Sequence, residues 1–172
     1  MHSIPQVLLA FCRWCDASFF GDGIRNSVWL FPFVEIFHLL ALGLLGGTLI
    51  LVNLSLLGVR FRGEPVARLA RDLQPLFNAS LAVMLISGFL LFSTEAVKMY
   101  GSPAFQFKMV SLALAVLFTY TLHFRIARGD GAFAPGWRKL AAIASFTLWA
   151  GVALGGRAIG YVMSNPPAGG GS

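Results

Sequence analysis

Charge is what this sequence has little of: 12% of its 172 residues are Asp, Glu, Lys or Arg, whereas 57% are apolar. A soluble domain carries about 25% charged residues, and the mean hydropathy here is +0.75. The shortage of charge excludes an ordinary soluble domain and indicates an integral membrane protein. Motifs that contact bases or phosphates are also lacking, so the net charge of +6 does not predict nucleic-acid binding.

Cysteine is scarce as well, and the two residues, Cys12 and Cys15, form a C-x-x-C motif. No histidine follows Cys15 directly, which excludes the motif for covalent haem attachment. On a helix the two thiols share a face and could bind Cu(I) or Zn, with His2 as a further ligand. The alternatives are a disulfide, or two small residues that pack on a buried face.

Four apolar runs are long enough to cross a bilayer, and they are predicted at 28–59, 74–93, 104–124 and 140–163. Residues 1–27 lack the features of a cleavable signal and predict a short amphipathic helix on the outer surface. The expected fold is all-α: a polytopic membrane protein whose four transmembrane helices form a bundle over 28–163, with a short N-terminal interfacial helix. Residues 164–172 form a flexible tail.

Glycines recur at helical spacing in the first and fourth runs. They form three G-x-x-x-G steps, at Gly43/Gly47, Gly151/Gly155 and Gly156/Gly160. Small residues at this spacing let helix backbones approach closely, so helix–helix packing is one interpretation. The other is that the glycines make room for a flat ligand such as a porphyrin.

Ionisable residues lie within the apolar runs, where each charge costs about 2.5–3.5 kcal/mol on insertion scales. Counting along the helices places His38 near the outer edge of the hydrocarbon, with Glu35 one turn further out. Lys108 and Arg157 fall at the same level, so a polar site is expected there. A ligand or proton-relay role is favoured for His38 over a core histidine. The alternative for the charged residues is structural ion pairs, Glu35–Lys108 or Glu95–Arg157.

His123 falls at the inner end of the third run, near the opposite face from His38. A single haem held by both histidines of one chain is therefore not expected. Either could ligate haem alone, with Met109 or Met163 as an outer partner, or they could serve two haems or pair across a subunit interface. A plain interfacial residue is the alternative for His123. Asn53 is expected to hydrogen-bond across the bundle.

A family resemblance rests on four segments: 29–38 (W-L-F-P-F-V-E-I-F-H), 100–109 (Y-G-S-P-A-F-Q-F-K-M), 122–123 (L-H) and 156–161 (G-R-A-I-G-Y). Over about residues 25–163 the chain resembles an uncharacterised family of bacterial four-helix inner-membrane proteins. More distantly, His38 and Lys108 resemble residues of copper-resistance D-type proteins and of the membrane-bound protoporphyrinogen oxidase. That resemblance implies haem b, with His38 as a haem or metal ligand and Lys108 as a charge partner.

The expected function is that of a b-type haem protein for electron transfer or redox chemistry near the periplasmic face. Its candidate cofactor-binding residues are His38, His123, Lys108, Arg157 and Glu35. Copper or another small solute is the alternative ligand, with His38, His123, Cys12, Cys15 and His2 as candidate metal ligands. A cofactor-free structural module is a further alternative. We expect a homo-oligomer in the lipid bilayer, and leave enzymatic activity and the redox partner open.

The basic residues predict the orientation in the membrane. Eight of the thirteen lie in two loops, at Arg60, Arg62, Arg68, Arg71, Arg125, Arg128, Arg138 and Lys139. Loops rich in Lys and Arg remain in the cytoplasm. Both termini then lie in the periplasm, if the protein belongs to the inner membrane of a Gram-negative bacterium.

This orientation predicts that cysteines placed at Gly63 and Gly131 are shielded from a membrane-impermeant thiol reagent in intact cells. The substitutions are made one at a time in a chain whose native cysteines are replaced by serine. Gly101→Cys, in the outer loop, is the control that reacts. Labelling at Gly63 or Gly131 before the cells are permeabilised would show that the orientation is inverted.

Overall fold

A computed structural model describes residues 4–18, 23–24, 27–59, 65–129 and 133–164. Within these ranges four helical segments are long and apolar enough to cross a membrane: Leu30–Leu57, Val66–Thr94, Pro103–Arg128 and Pro135–Tyr161. Together with a short N-terminal helix, they confirm the predicted all-α membrane fold. His2 and the tail from residue 165 lie outside the described residues, as do the loop segments 60–64 and 130–132.

The elements follow one another as α1 (Ile4–Asp16), α2 (Leu30–Leu57), α3 (Val66–Thr94), α4 (Ala96–Tyr100), α5 (Pro103–Phe118), a π-helical turn (Thr119–His123), α6 (Phe124–Arg128) and α7 (Pro135–Ser164). We call Pro103–Arg128 the third span. Helix α3 begins before the apolar run predicted at 74, and α7 begins before 140. The 29 residues of α3 extend about 43 Å, more than the hydrocarbon thickness of about 30 Å. We therefore expect the first turns of α3, which carry Arg68 and Arg71, to lie outside the hydrocarbon.

The bundle is built from two pairs of sequential helices. Helix α2 packs mainly on α3, and α5 packs mainly on α7, while contacts of α7 with α2 and of α6 with α3 join the pairs. Phe77 is 1% exposed and lies at the centre, with its ring edge-on to the rings of Tyr120, Phe124 and Trp149 at 5.3–6.0 Å.

Helix α1 docks on the C-terminal end of α3 and on α4. Cys12 and Cys15 face this contact, where they pack with Ala96 and the partly buried Phe92 and Tyr100. The other side of α1 carries an exposed apolar stripe of Val7, Leu8, Phe11 and Trp14. Such a stripe beside the ends of membrane spans suits the interface between lipid and water.

Two of the α7 glycines allow the close approach of α5. A β-carbon at Gly155 would lie 2.9 Å from the Cβ of Lys108 and 3.1 Å from its Cα. At Gly151 it would lie 3.3 Å from the Oγ of Ser111. These contacts confirm the packing interpretation for the Gly151/Gly155 step.

The other glycine steps behave differently. A β-carbon at Gly43, Gly47 or Gly160 would meet nothing within 4 Å among the described atoms. These three positions therefore do not bring helices of one chain together.

The contrast predicts opposite effects of alanine on stability. Gly155→Ala should destabilise the bundle by about 1–3 kcal/mol, because the added methyl group meets the Lys108 backbone. Gly160→Ala is the matched control in the same helix, and its greater helix propensity should leave stability unchanged or raised. Thermal unfolding in one detergent compares them. Equal midpoints would show that the α5–α7 contact is not as tight as described.

Candidate functional site

His38 is held in one orientation by Ser87 of α3. Its Nδ1 lies 2.9 Å from the Oγ of Ser87, and that hydroxyl donates to the carbonyl of Val83 at 2.6 Å. Since the hydroxyl has a single hydrogen, its oxygen accepts the bond from Nδ1–H. A neutral His38 therefore carries its lone pair on Nε2, the nitrogen available to a ligand or to a proton.

Gly88 makes the room that the His38 ring occupies. A β-carbon at Gly88 would lie 3.2 Å from Cε1 of His38, closer than the ring tolerates without moving. Gly43 and Gly47 follow His38 by five and nine residues, which places them about 140° and 180° around α2. They thus lie on another side of the helix from His38, and the expectation that they make room for a flat ligand stays a prediction.

Lys108 lies along the glycine surface of α7. Its backbone contacts the Gly155 position, and its Nζ is 3.7 Å from the β-carbon position of Gly156. The side chain is half-buried. Gly155 and Gly156 accordingly accommodate the lysine side chain.

The ion pairs suggested for the outer level do not form among the described residues. Glu95 pairs instead with Lys98, three residues along the chain, at 3.3 Å. Glu35 and Arg157 are both exposed. The ring of His38 is oriented by Ser87, not by Glu35, because the spacing of the bundle brings α3 against this side of α2.

A second polar cluster joins three spans near the other end of α2. His123 is 0% exposed, and its Nε2 lies 2.6 Å from Oδ1 of Asn53. The amide of Asn53 donates to Oγ of Ser145 on α7 at 3.2 Å. Asn53 therefore hydrogen-bonds across the bundle as predicted. The carbonyl oxygen can only accept, so Nε2–H donates, and the buried Nδ1 has no partner among the described residues.

The π-helical turn sets the direction of His123. The backbone N–H of Phe124 donates to the carbonyl of Thr119, five residues back, so this turn holds one residue more than an α-helical turn. The hydroxyl of Thr119 donates to the carbonyl of Ala115 and accepts a bond from Nε1 of Trp149 at 3.1 Å. His123 is consequently directed into the bundle, and its interpretation as an interfacial residue is wrong.

The two clusters are too far apart for one cofactor. His38 and Asn53 are fifteen residues apart on α2, hence about 22 Å along its axis. The pair of axial ligands of a single haem cannot span that separation. The void between the clusters is too small to hold even a water molecule, far below the roughly 300 Å³ of ordinary ligand pockets. It is lined by Thr48, Leu49, Val52, Leu73, Phe77 and Phe124.

The cysteine pair is buried, at 3% exposure for Cys12 and 1% for Cys15, and no disulfide joins the two thiols. Burial raises the pKa of the Cys15 thiol above its usual value, which disfavours the thiolate that metals bind. No group of three His, Cys, Asp or Glu that could hold a metal occurs in the described part of the chain. These observations favour packing over metal binding for the pair.

Residues 11–162 match the model of a family of unknown function, DUF6644. The chain belongs to this family. The match spans both polar clusters and the cysteine pair, and it ends one residue before Met163. No curated protein and no solved structure matches the chain. The distant resemblance to copper-resistance D-type proteins and to the membrane-bound protoporphyrinogen oxidase thus gains no support and stays a prediction.

The polar cluster of His123, Asn53 and Ser145, called the inner cluster below, predicts that replacing the Asn53 amide lowers the stability of the bundle. Asn53→Leu leaves the Nε2–H of His123 buried without an acceptor, a loss of about 1–3 kcal/mol. We expect the thermal unfolding midpoint to fall by at least about 2 °C. Thr147→Val is the control, since that exposed hydroxyl bonds only within its own helix. Equal midpoints for the two variants would contradict the bridging role of Asn53.

Proposed function

We propose that this protein is a b-type haem protein that acts in electron transfer or redox chemistry, with His38 as an axial ligand to the iron. The observation that supports this is the hydrogen bond from Nδ1–H of His38 to Ser87. It leaves the Nε2 lone pair available and holds the ring in place. An oriented neutral imidazole is the form in which histidine ligates haem iron.

Two cations at the level predicted for His38 fit an anionic ligand. Lys108 is half-buried and has no carboxylate partner among the described residues, and Arg157 is exposed near the outer end of α7. Haem carries two propionates, and charge-assisted bonds from lysine or arginine to carboxylates are strong. Lys108 and Arg157 are therefore the residues proposed to hold the propionates.

The porphyrin needs more space than the void between the clusters offers. We therefore propose that it binds at the surface of the bundle, where lipid or a second copy of the chain covers it. The second axial position then falls to the exposed Met109 or to a residue of the second copy. His123 has no part in this proposal, because Asn53 takes its Nε2 and its ring is fully enclosed.

The membrane and the orientation belong to the same proposal. The inner membrane of a bacterium, with the Arg-rich loops in the cytoplasm, puts His38 and Lys108 on the periplasmic side. Copper binding through Cys12 and Cys15 has no comparable support, since the thiols pack against Ala96, Phe92 and Tyr100.

The proposal predicts that the purified protein shows a Soret band and sharp reduced α and β bands. His38→Ala should lose the haem while the bundle still inserts. Ser87→Ala removes the acceptor of Nδ1–H, which weakens imidazole as a donor. That variant should bind haem about tenfold less tightly and have a higher midpoint potential.

Thr147→Val, with its exposed hydroxyl bonded within α7, is the control and should keep the wild-type spectrum. A colourless wild-type protein after expression with ample haem supply would refute the proposal. So would a His38→Ala protein with wild-type haem content and an unchanged reduced spectrum.

A further inference from the structure

A polar pair faces outward on the arginine-rich half of the bundle. The hydroxyl of Tyr120 donates to Oδ1 of Asn78 at 2.7 Å, and both side chains are exposed. This bond joins α3 to the third span and occupies the amide oxygen. The two amide hydrogens of Asn78 have no acceptor among the described residues. In contrast to the inner cluster, this amide is directed toward the lipid.

The depth of the pair follows from the length of α3. Twenty residues back from Thr94, the hydrocarbon ends near residue 75. Asn78 then lies about 5 Å inside this edge. The ester and glycerol groups of lipid lie at and just outside this edge, and a helical side chain at position 78 leans toward it because side chains tilt toward the N-terminus of their helix. An amide donor here has no water to bond and therefore needs an acceptor from the lipid or from another protein.

Two arginines continue the same flank toward the arginine-rich end. Arg71 precedes Asn78 by seven residues, which places it on the same face of α3 and about 10 Å further along. Arg125 follows Tyr120 by five residues, one turn in the widened π geometry. Both guanidiniums are exposed.

Neither of these arginines is held by an acidic residue of the described chain. Arg68 pairs with Asp72 at 3.9 Å, and Arg128 lies over the ring of Phe124 at 5.7 Å from its centre. Arg71 and Arg125 form no such pair among the described residues. They leave positive charge on each side of the cleft between α3 and the third span.

We propose that this cleft binds one anionic phospholipid. Its phosphate lies between Arg71 and Arg125, and an ester carbonyl accepts a hydrogen bond from the amide of Asn78. Guanidinium groups bind phosphate with charge-assisted hydrogen bonds, and basic residues beside spans attract anionic headgroups. A phospholipid offers the two required acceptors, a phosphate and an ester carbonyl, at two successive depths.

The test is native mass spectrometry of the full chain, titrated with phosphatidylglycerol and, separately, with phosphatidylcholine. We expect one tightly retained phosphatidylglycerol per chain. Arg71→Gln should weaken its affinity about fivefold, or about 1 kcal/mol. Asn78→Leu should weaken both lipids, and Tyr120→Phe should weaken them less, since it removes only the bond that orients the amide.

Lys98→Gln is the matched control, because it removes one exposed positive charge at the outer end. It should leave retention unchanged. Equal losses for Arg71→Gln and Lys98→Gln would overturn the proposal in favour of diffuse electrostatic attraction. Unchanged retention by Asn78→Leu, or a retained quinone in place of phospholipid, would also overturn it. All the variants alter exposed side chains, and their far-ultraviolet circular dichroism verifies folding.

Discussion

The hydrogen bond between His123 and Asn53 constrains the bundle more than any other single contact. Hydrocarbon offers no water, so a buried imidazole and amide must satisfy each other. The distance of 2.6 Å requires α2 and the third span to meet in one register, and the bond from Asn53 to Ser145 adds α7. Small side chains around this point, including Ala127, Ala141 and Ala142, allow the backbones to come close enough. A shift of any one of these spans along its axis would leave buried polar groups without hydrogen-bond partners.

Once that register is set, the half of the bundle that contains His38 and Lys108 follows. Glycines lie opposite polar side chains there: Gly88 opposite His38, and Gly155 and Gly156 opposite Lys108. A glycine leaves a concavity in a helix surface, and a long or ringed polar side chain fills it. This arrangement keeps an imidazole and an ammonium half-buried at membrane depth, where each retains an unoccupied donor or acceptor. It also explains why α5 and α7 are so close.

Hydropathy was sufficient to predict the four spans and the separate depths of His38 and His123, because both depend on residue order and helical rise alone. The partners of those histidines depend on which helices become neighbours. Ser87 and Gly88 lie in an apolar run without any motif, and nothing in the local sequence relates them to His38. The π-helical turn has no proline or glycine to mark it. The sequence therefore does not predict that His123 is directed into the bundle.

The two histidines show why depth alone does not assign a role. Each histidine donates one ring hydrogen to an oxygen of a neighbouring helix. The nitrogen that donates differs: it is Nδ1 in His38 and Nε2 in His123. The uncommitted nitrogen of His38 belongs to a half-buried ring. That of His123 is enclosed by a bundle which leaves it neither partner nor access among the described residues. The same side chain is thus a potential ligand at one level and a bridge between helices at the other. The difference arises from the neighbouring helix, with serine and glycine in one case and asparagine in the other.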